Sequence, residues 1–249
     1  MIDTNYQLMD PASKLFAVRD FFDETQRYLA NNANIEIRRR IVKEMVGDIE
    51  NAKILDFGCG DGSIGLQFVG ASNSVTLVDI SQKMLDVARN QTPASFQAHV
   101  EYVNDDLAHY ESSSKYNLVL CLGVLAHVDA VESTVRKIAE LLKNDGRCVL
   151  QITDADRMLG KLSEAYCDVR NRLGHGYPKR MNRIGSRELR SLAAHSGMRY
   201  LAERRYASLL PGMGRLPIQW RKKYQLFTLN ERSLSRYGSE AIILFSKTA

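Results

Sequence analysis

Apolar positions along this chain change period several times, and each change marks an element. From Asp10 to Asp48 they recur at helical spacing. Leu15, Phe16, Val18, Phe21 and Phe22 form one apolar face, and Ile35, Ile37, Ile41, Val42 and Met45 form a second. The polar break Asn31-Asn32-Ala33-Asn34 divides this stretch into two helices. From Lys53 onward short apolar runs alternate with helical periodicity. The runs predict strands at Lys53–Phe57, Ser74–Asp79, His99–Asn104, Tyr116–Leu122 and Arg147–Thr153. Between them the pattern predicts a helix opening near Ser63 and another over Ala130–Leu142. A third starts at Ser81, with that serine as N-cap and Met84, Leu85, Val87 and Ala88 facing inward.

Beyond Asp154 the pattern loosens. A helical stretch from Ala155 to about Leu173 leads to the turn Gly174-His175-Gly176-Tyr177-Pro178. Ser186 starts a further helix that stops at Gly197, a residue suited to a helix end. Tyr200–Tyr206 and Glu240–Lys247 read as closing strands, and Leu209–Arg236, which holds the single Trp220, receives no element. Apolar, β-branched strands alternating with helices imply a parallel sheet covered on both faces. The expected fold is α/β: a Rossmann-like, doubly wound, mainly parallel seven-stranded sheet. No internal repeat interrupts it.

A length of 249 residues, 45% hydrophobic and 25% charged, suits one large domain of this kind. Met1-Ile2-Asp3-Thr4-Asn5-Tyr6 lacks the layout of a secretory signal, and no apolar run is long enough for a bilayer, so a cytoplasmic location is expected. Cys59, Cys121, Cys148 and Cys167 match no zinc-ligand spacing and read as small buried thiols; no metal is expected. The net charge of +5 is unevenly spread. Ala155 to Gly238 holds 18 Lys/Arg against 6 Asp/Glu, while the remainder holds 16 against 23. A basic segment suits an anionic substrate or nucleic acid, or is a solvated helical surface; the aromatic interleaving typical of single-strand binders is thin here.

The richest chemistry lies in Asp56-Phe57-Gly58-Cys59-Gly60-Asp61-Gly62, directly after the first strand. Alternate glycines remove Cβ where the chain turns sharply and bring main-chain N–H groups to a ligand. A dinucleotide turn reads G-x-G-x-x-G; counted from Gly58 the third glycine comes one residue early, although the register Gly60, Gly62 and Gly65 does fit. Asp56 would repel a pyrophosphate and attract an ammonium. Asp79 ends the second strand, where a carboxylate accepts both ribose hydroxyls. Asp106, with Asp105 as the fallback, stands where a carboxylate accepts from an adenine amino group while a neighbouring N–H, such as that of Leu107, meets a ring nitrogen. Ligands of such sheets bind at the carboxyl ends of strands.

These residues resemble those of class I S-adenosylmethionine-dependent methyltransferases. The resemblance covers roughly Lys53 to Thr153 and rests on Ile54–Gly62, Val75–Ser81, Tyr102–Leu107 and Tyr116–Val128, with Leu141–Gly146 as the turn before the fifth strand. That family often has Lys-Pro-Gly-Gly in this turn, and the chain departs from it at Asn144 and Asp145. The resemblance implies S-adenosyl-L-methionine as cofactor. It implies that Gly58, Gly60 and Gly62 line the methionine moiety, that Asp56 serves its ammonium, and that Asp79 holds the ribose diol. Ile80 would pack on adenine, Asp106 would face its amino group, and the Leu122 backbone would lie near the methyl-bearing part.

The implied function is methyl transfer to an oxygen or nitrogen of a small-molecule acceptor, in the manner of natural-product enzymes. His127, after the fourth strand, is the candidate base; its alternative role is to shape the pocket. His175 and Tyr177 are weaker candidates, and Tyr6 and Tyr28 belong to a helical segment that either covers the substrate or packs on the sheet's edge. Residues 1–50 are expected as an N-terminal helical lid and 51–249 as the methyltransferase domain, with an acceptor-side insertion at about 155–184. Lys179, Arg180 and Arg183 would favour an anionic acceptor. An RNA or protein acceptor is the alternative, drawn from the basic segment; no Asn-Pro-Pro-Tyr-like tetrapeptide or Pro-Cys pair supports it. A nicotinamide-dependent dehydrogenase and a non-catalytic cofactor binder are further alternatives. The expected assembly is a monomer or homodimer with neither nucleic-acid nor membrane partners.

Overall fold

In the computed structural model the described residues are 19–20, 23, 32–128, 130–158, 161, 165, 169, 182, 184–206, 217–231, 235 and 237–248. Their elements are α1 (Asn32–Val46), β1 (Lys53–Phe57), β2 (Ser74–Asp79), α2 (Gln82–Gln91), β3 (Val100–Asn104), β4 (Tyr116–Cys121), α3 (Val131–Leu141), β5 (Leu142–Thr153), α4 (Ser186–His195), β6 (Met198–Tyr206), α5 (Ile218–Asn230) and β7 (Glu240–Lys247). The seven strands form one sheet in the order β3-β2-β1-β4-β5-β7-β6. β1 to β5 run parallel, and β7 lies antiparallel between β5 and β6. This is the doubly wound, mainly parallel sheet expected from the pattern.

The central strands are buried on both faces, which is why they read as continuous apolar runs. Successive side chains point to opposite faces. Leu55, Phe57, Val119, Cys121, Cys148 and Leu150 share one core with Val135 and Ile138 of α3 and Leu189 of α4. Ile54, Leu118, Leu120, Val149 and Ile242 share the other with Ile37, Ile41 and Val42 of α1 and Leu85 of α2. Cys59, Cys121 and Cys148 are free and buried, as expected. Among the described residues no helix is long and apolar enough to cross a membrane.

Several boundaries differ from expectation. No α-helix opens near Ser63; a 3-10 turn, Gly65–Phe68, stands there instead. Asp61 Oδ1 captures the Ser63 N–H (3.1 Å) and hydroxyl (2.8 Å), and two glycines disfavour a regular helix. β5 begins at Leu142 rather than Arg147. The expected turn is an irregularity inside the strand, with Asp145 at φ +59° and Gly146 so close to Lys143 O and Tyr116 O that a Cβ would lie within 3 Å of both. α5 lies in a segment given no element, because its apolar residues do not gather on one face: Trp220 and Phe227 are exposed while Gln225 and Thr228 are buried. The segment 1–50, expected as a lid, includes α1, which is a covering layer of the sheet. Of residues 1–31 only Arg19, Asp20 and Asp23 are described; the rest, Tyr6 and Tyr28 among them, lie outside the described residues, as do Cys167, His175, Tyr177, Lys179, Arg180, Arg183 and most of 155–184.

Where β5 ends, a buried ion pair joins distant segments. Asp154 Oδ2 accepts from Arg205 Nη2 of β6 (2.5 Å) and from the Ser186 hydroxyl (2.5 Å), while Oδ1 accepts the Ser186 N–H (3.2 Å). Asp154 also bridges Ile184 in parallel, so both ends of the segment 155–184 are fastened at one point. Burial pushes the Asp154 carboxyl up, but Ser186 and Arg205 outweigh it and hold it below the ordinary range. Arg205→Met leaves this carboxylate buried without its cation. It should lower stability by about 3 kcal/mol in urea unfolding; a midpoint equal to wild type would show the pair to be dispensable.

Candidate active site at the carboxyl edge of the sheet

The strand order reverses between β1 and β4, so a cleft opens at their carboxyl ends. The glycine turn lines it. Gly58, Gly60 and Gly62 all have positive φ (61°, 54° and 74°), a conformation that costs other residues energy. A Cβ at Gly58 would overlap Val124 Cγ2, and one at Gly62 would stand 2.9 Å from Ala88 Cβ. The turn is tied to β2: the N–H groups of Gly58 and Cys59 donate to Val78 O (2.8 and 3.2 Å).

Asp79 joins the pieces of the cleft. Its Oδ2 accepts the Gly60 N–H and its Oδ1 the Ser81 N–H, both at 2.9 Å. Its carbonyl accepts from Asn104 Nδ2 (2.9 Å) and the Asp105 N–H (3.2 Å). Ser81 caps α2 as expected, its Oγ accepting the Met84 N–H (3.2 Å), and its hydroxyl donates to Asp23 Oδ1 (2.5 Å). Burial raises the Asp79 carboxyl above its ordinary range, and Asp23 adds to this; the N–H groups of Ser81 and Gly60 pull the other way.

Asp56 is buried beneath the turn. Its Oδ2 has no hydrogen-bond partner and lies where a Cβ on Gly65 would approach to 2.8 Å. Desolvation raises its pKa to about 8, the Gly65 N–H opposes this, and the charges of Asp79 and Asp61 reinforce it. Asp106 accepts from its own turn. Its Oδ1 accepts the N–H groups of Ala108 (2.7 Å) and His109 (3.0 Å), and its Oδ2 pairs with His109 Nδ1 (2.7 Å), so it caps its own turn. Burial pushes it up, but the His109 ring and these N–H groups hold it below the ordinary range. Asp105, the fallback, accepts the Asp106 N–H on Oδ1 (2.8 Å). The Leu107 side chain is part of the core, Ile80 is half-buried at the end of β2, and Leu122 is buried at the end of β4.

After Leu122 the chain makes a left-handed step at Gly123 (φ +79°) and a turn closed by the His127 N–H to Val124 O (2.8 Å). This puts His127, partly buried, on the cleft's edge. Sequence reasoning missed the residue that holds this turn. Asn182 donates its N–H to Ala126 O (3.2 Å) and its Nδ2 to Leu125 O (3.1 Å) and Val128 O. It also missed Arg38 of α1, whose guanidinium lies against Gly123. No local spacing announces either: Asn182 is 57 residues from Leu125, and Arg38 is 168 from Tyr206, to whose hydroxyl its Nε donates.

The donor set therefore fits a ligand with a cationic amino-acid end and a nucleoside. An unsatisfied buried carboxyl oxygen lies under a turn that has no room for side chains at Gly58 and Gly62. Residues 22–203 match a family model described as a methyltransferase domain. That is more than half of the chain, and the chain belongs to the class I S-adenosylmethionine-dependent methyltransferases. It is 30% identical over 128 residues to a ubiquinone biosynthesis O-methyltransferase of Bordetella avium, covering 51% of this chain and 53% of that protein. The chain thus spans about half the length of the curated relatives it matches. The magnesium protoporphyrin IX methyltransferase of Synechocystis, solved with bound S-adenosylhomocysteine, superposes with a TM-score of 0.66 at 19% identity, covering 94% of this chain and 100% of that one. The 1,6-didemethyltoxoflavin N1-methyltransferase of Burkholderia thailandensis does so with a TM-score of 0.62 at 17% identity, covering 97% and 92%.

The state of Asp56 is testable without any ligand. The folded chain keeps its proton up to about pH 8, whereas an unfolded chain releases it near pH 3.8. Asp56 therefore subtracts stability progressively as pH rises through that window. Asp56→Asn should match wild type near pH 4 and become the more stable protein, by a few kcal/mol, towards pH 8. Thermal unfolding across the range would reveal this, and a gap that does not change with pH would contradict it.

Proposed function

We propose that this protein transfers a methyl group from S-adenosyl-L-methionine to a hydroxyl oxygen of a small-molecule acceptor. The observation that carries the reading is the glycine turn built over the buried Asp56 carboxyl, whose Oδ2 has no hydrogen-bond partner, with Asp79 fastening the turn to the ends of β2 and β3. The Bordetella relative is named an O-methyltransferase, which supports oxygen as the receiving atom. Nitrogen is the second reading, favoured by the fold shared with the Burkholderia enzyme.

S-adenosylmethionine, when bound, supplies a methyl group on a positively charged and already electrophilic sulfur. This chain's residues would then bind and orient. The backbone at Gly58, Gly60 and Gly62 would lie along the methionine part, and the Asp56 carboxylate would face its ammonium. The Asp79 carboxylate would accept the ribose hydroxyls, Ile80 would cover the adenine, and a carboxylate oxygen of Asp106, or of Asp105, would accept from its amino group while the Leu107 N–H meets a ring nitrogen. The Leu122 backbone would border the transferring edge. His127 would hold the proton that the acceptor hydroxyl releases, and Asn182 would keep His127's turn in place. Holding both reactants in line contributes several kcal/mol before any base acts. We assign the acceptor chamber to residues 1–31 and the segment 155–184, and the methyl-donor domain to 51–249.

The basic segment gives less support to an RNA acceptor than its composition suggests. Among its described cations, Arg190 pairs with Glu203, Arg204 with Glu44, and Arg205 with Asp154 and Glu203. Arg205 is buried, and Arg190 and Arg204 are partly exposed but each matched by a carboxylate, while Arg187, Arg199 and Lys223 stay at the surface. Electrostatic binding of RNA draws on exposed cations.

Isothermal calorimetry should detect S-adenosylhomocysteine binding and no binding of NAD(H); the reverse pattern would overturn the proposal. With labelled S-adenosylmethionine and a panel of hydroxylated aromatic acids, His127→Ala should lower the transfer rate at neutral pH by about 10²-fold or more with cofactor affinity unchanged. A near-normal rate in that variant would remove His127 as the base.

A further inference from the structure

Gln151 of β5 is almost fully buried, and its amide is fixed from two sides. Nε2 donates to Tyr206 OH (2.9 Å) and to Glu240 Oε2 (2.7 Å). Both of its protons are thereby used, and the opposite amide orientation would set a carbonyl oxygen against the Glu240 carboxylate. Oε1 consequently points away from both partners. It is shielded from water and has no hydrogen-bond partner. Leaving a buried acceptor unpaired is costly. Glu240 is itself held, its Oε1 accepting from Thr153 Oγ1 (2.6 Å), and Tyr206 OH also accepts from Arg38 Nε (2.8 Å).

The position of this cluster matters as much as its rigidity. β4 and β5 pair through Cys121 and Leu150, so Leu122 and Gln151 are the next residues along the two strands, at the carboxyl edge. Gln151 shares a face with Val149, the face that also carries Leu118 and Leu120 of β4 and Ile54 of β1. Asp56 stands two residues beyond Ile54 on that same face. Arg38, bonded to the same Tyr206 hydroxyl, lies against Gly123 immediately after Leu122. An amide oxygen held by the two hydrogen bonds of its own amide nitrogen thus stands on the strand next to the edge at which methyl transfer is proposed, and the Arg38 guanidinium reaches that edge at Gly123.

We infer that Gln151 Oε1 is the recognition point for a hydroxyl group of the methyl acceptor. The inference rests on the methyltransferase reading and deepens it. The acceptor donates a hydrogen bond to Oε1, and Arg38 biases the site toward weakly acidic hydroxyl compounds, phenols or enols. An amine becomes cationic on methylation and would meet the guanidinium charge. Gln151 binds and orients; an amide takes no proton at neutral pH, so it acts on specificity rather than as a base. Tyr206 and Glu240 are positioning residues that act through it.

The test compares probes within one protein, so partial loss of fold does not distort it. With S-adenosylhomocysteine saturating, affinities are measured for 3,4-dihydroxybenzoate, 3,4-diaminobenzoate and benzoate. Wild type should bind the dihydroxy probe about tenfold more tightly than benzoate, the value of one net hydrogen bond, and the diamino probe less tightly than the dihydroxy one. In Gln151→Met that preference should fall to about threefold or less, with S-adenosylhomocysteine affinity unchanged. Tyr206→Phe, which frees the amide on one side, should give an intermediate ratio. A preference kept in full by Gln151→Met overturns the inference. So does a wild type that binds S-adenosylhomocysteine yet prefers benzoate or the diamine. Wild-type protein that does not bind S-adenosylhomocysteine at all overturns the parent reading instead, and that measurement is made first and separately.

Discussion

One carboxylate organises the cleft. Asp79 sits at the end of β2, buried, and accepts the N–H of Gly60 on one oxygen and that of Ser81 on the other. Its carbonyl takes Asn104 and Asp105 from the end of β3. A single residue therefore fixes the turn after β1, the start of α2 and the departure of the chain from β3. Hydrogen bonds to an ionised acceptor are stronger than neutral ones, and a buried carboxylate without them would be prohibitively costly. The geometry of the glycine turn is thus coupled to the ionisation of Asp79, and the burial of the neighbouring Asp56 carboxyl appears as a raised pKa.

This concentration of acids explains the division of labour between Asp79 and Asp56. Both are desolvated, but only Asp79 has two N–H donors directed at its oxygens. Asp56 has one opposing N–H and lies within the field of the other two acids, so its proton stays on to about pH 8. The site is poised to exchange that proton for an external cation. Glycine at position 65 is what permits the burial, because any side chain there would occupy the space of the Asp56 carboxyl.

Most of the cofactor side was legible in the sequence, because it is local. Strand ends, glycine spacing and the Ser81 cap lie within a few residues of one another, and alternation of apolar positions sets their register. The misread elements fail for physical reasons. Asp61 diverts Ser63 from a helix into a side-chain-closed turn. Gly146 lets β5 begin inside what reads as a loop, because its backbone packs against Tyr116. α5 carries a low contrast between its faces, so periodicity had nothing to detect. The bonds that Asp106 accepts from the Ala108 and His109 N–H groups are likewise shown by no spacing rule.

The acceptor side follows a different logic. Gln151, Tyr206, Glu240 and Arg38 meet across separations of 55, 89 and 168 residues, and Asp154 meets Arg205 across 51. These pairings join β5 and the residue after it to the antiparallel pair β6 and β7, and β6 to α1. β6 and β7 are the strands farthest from the glycine turn in chain order. A polar group buried by such long-range contacts is expensive unless every partner arrives together, so the cluster behaves as a unit. That is why the departure of one atom from the rule is informative: in a network where Gln151 Nε2, Tyr206 OH and both Glu240 oxygens are engaged, an unpaired Oε1 is not slack in the packing. The surrounding bonds hold it in that direction, and the sheet delivers it to the edge that the glycine turn also faces.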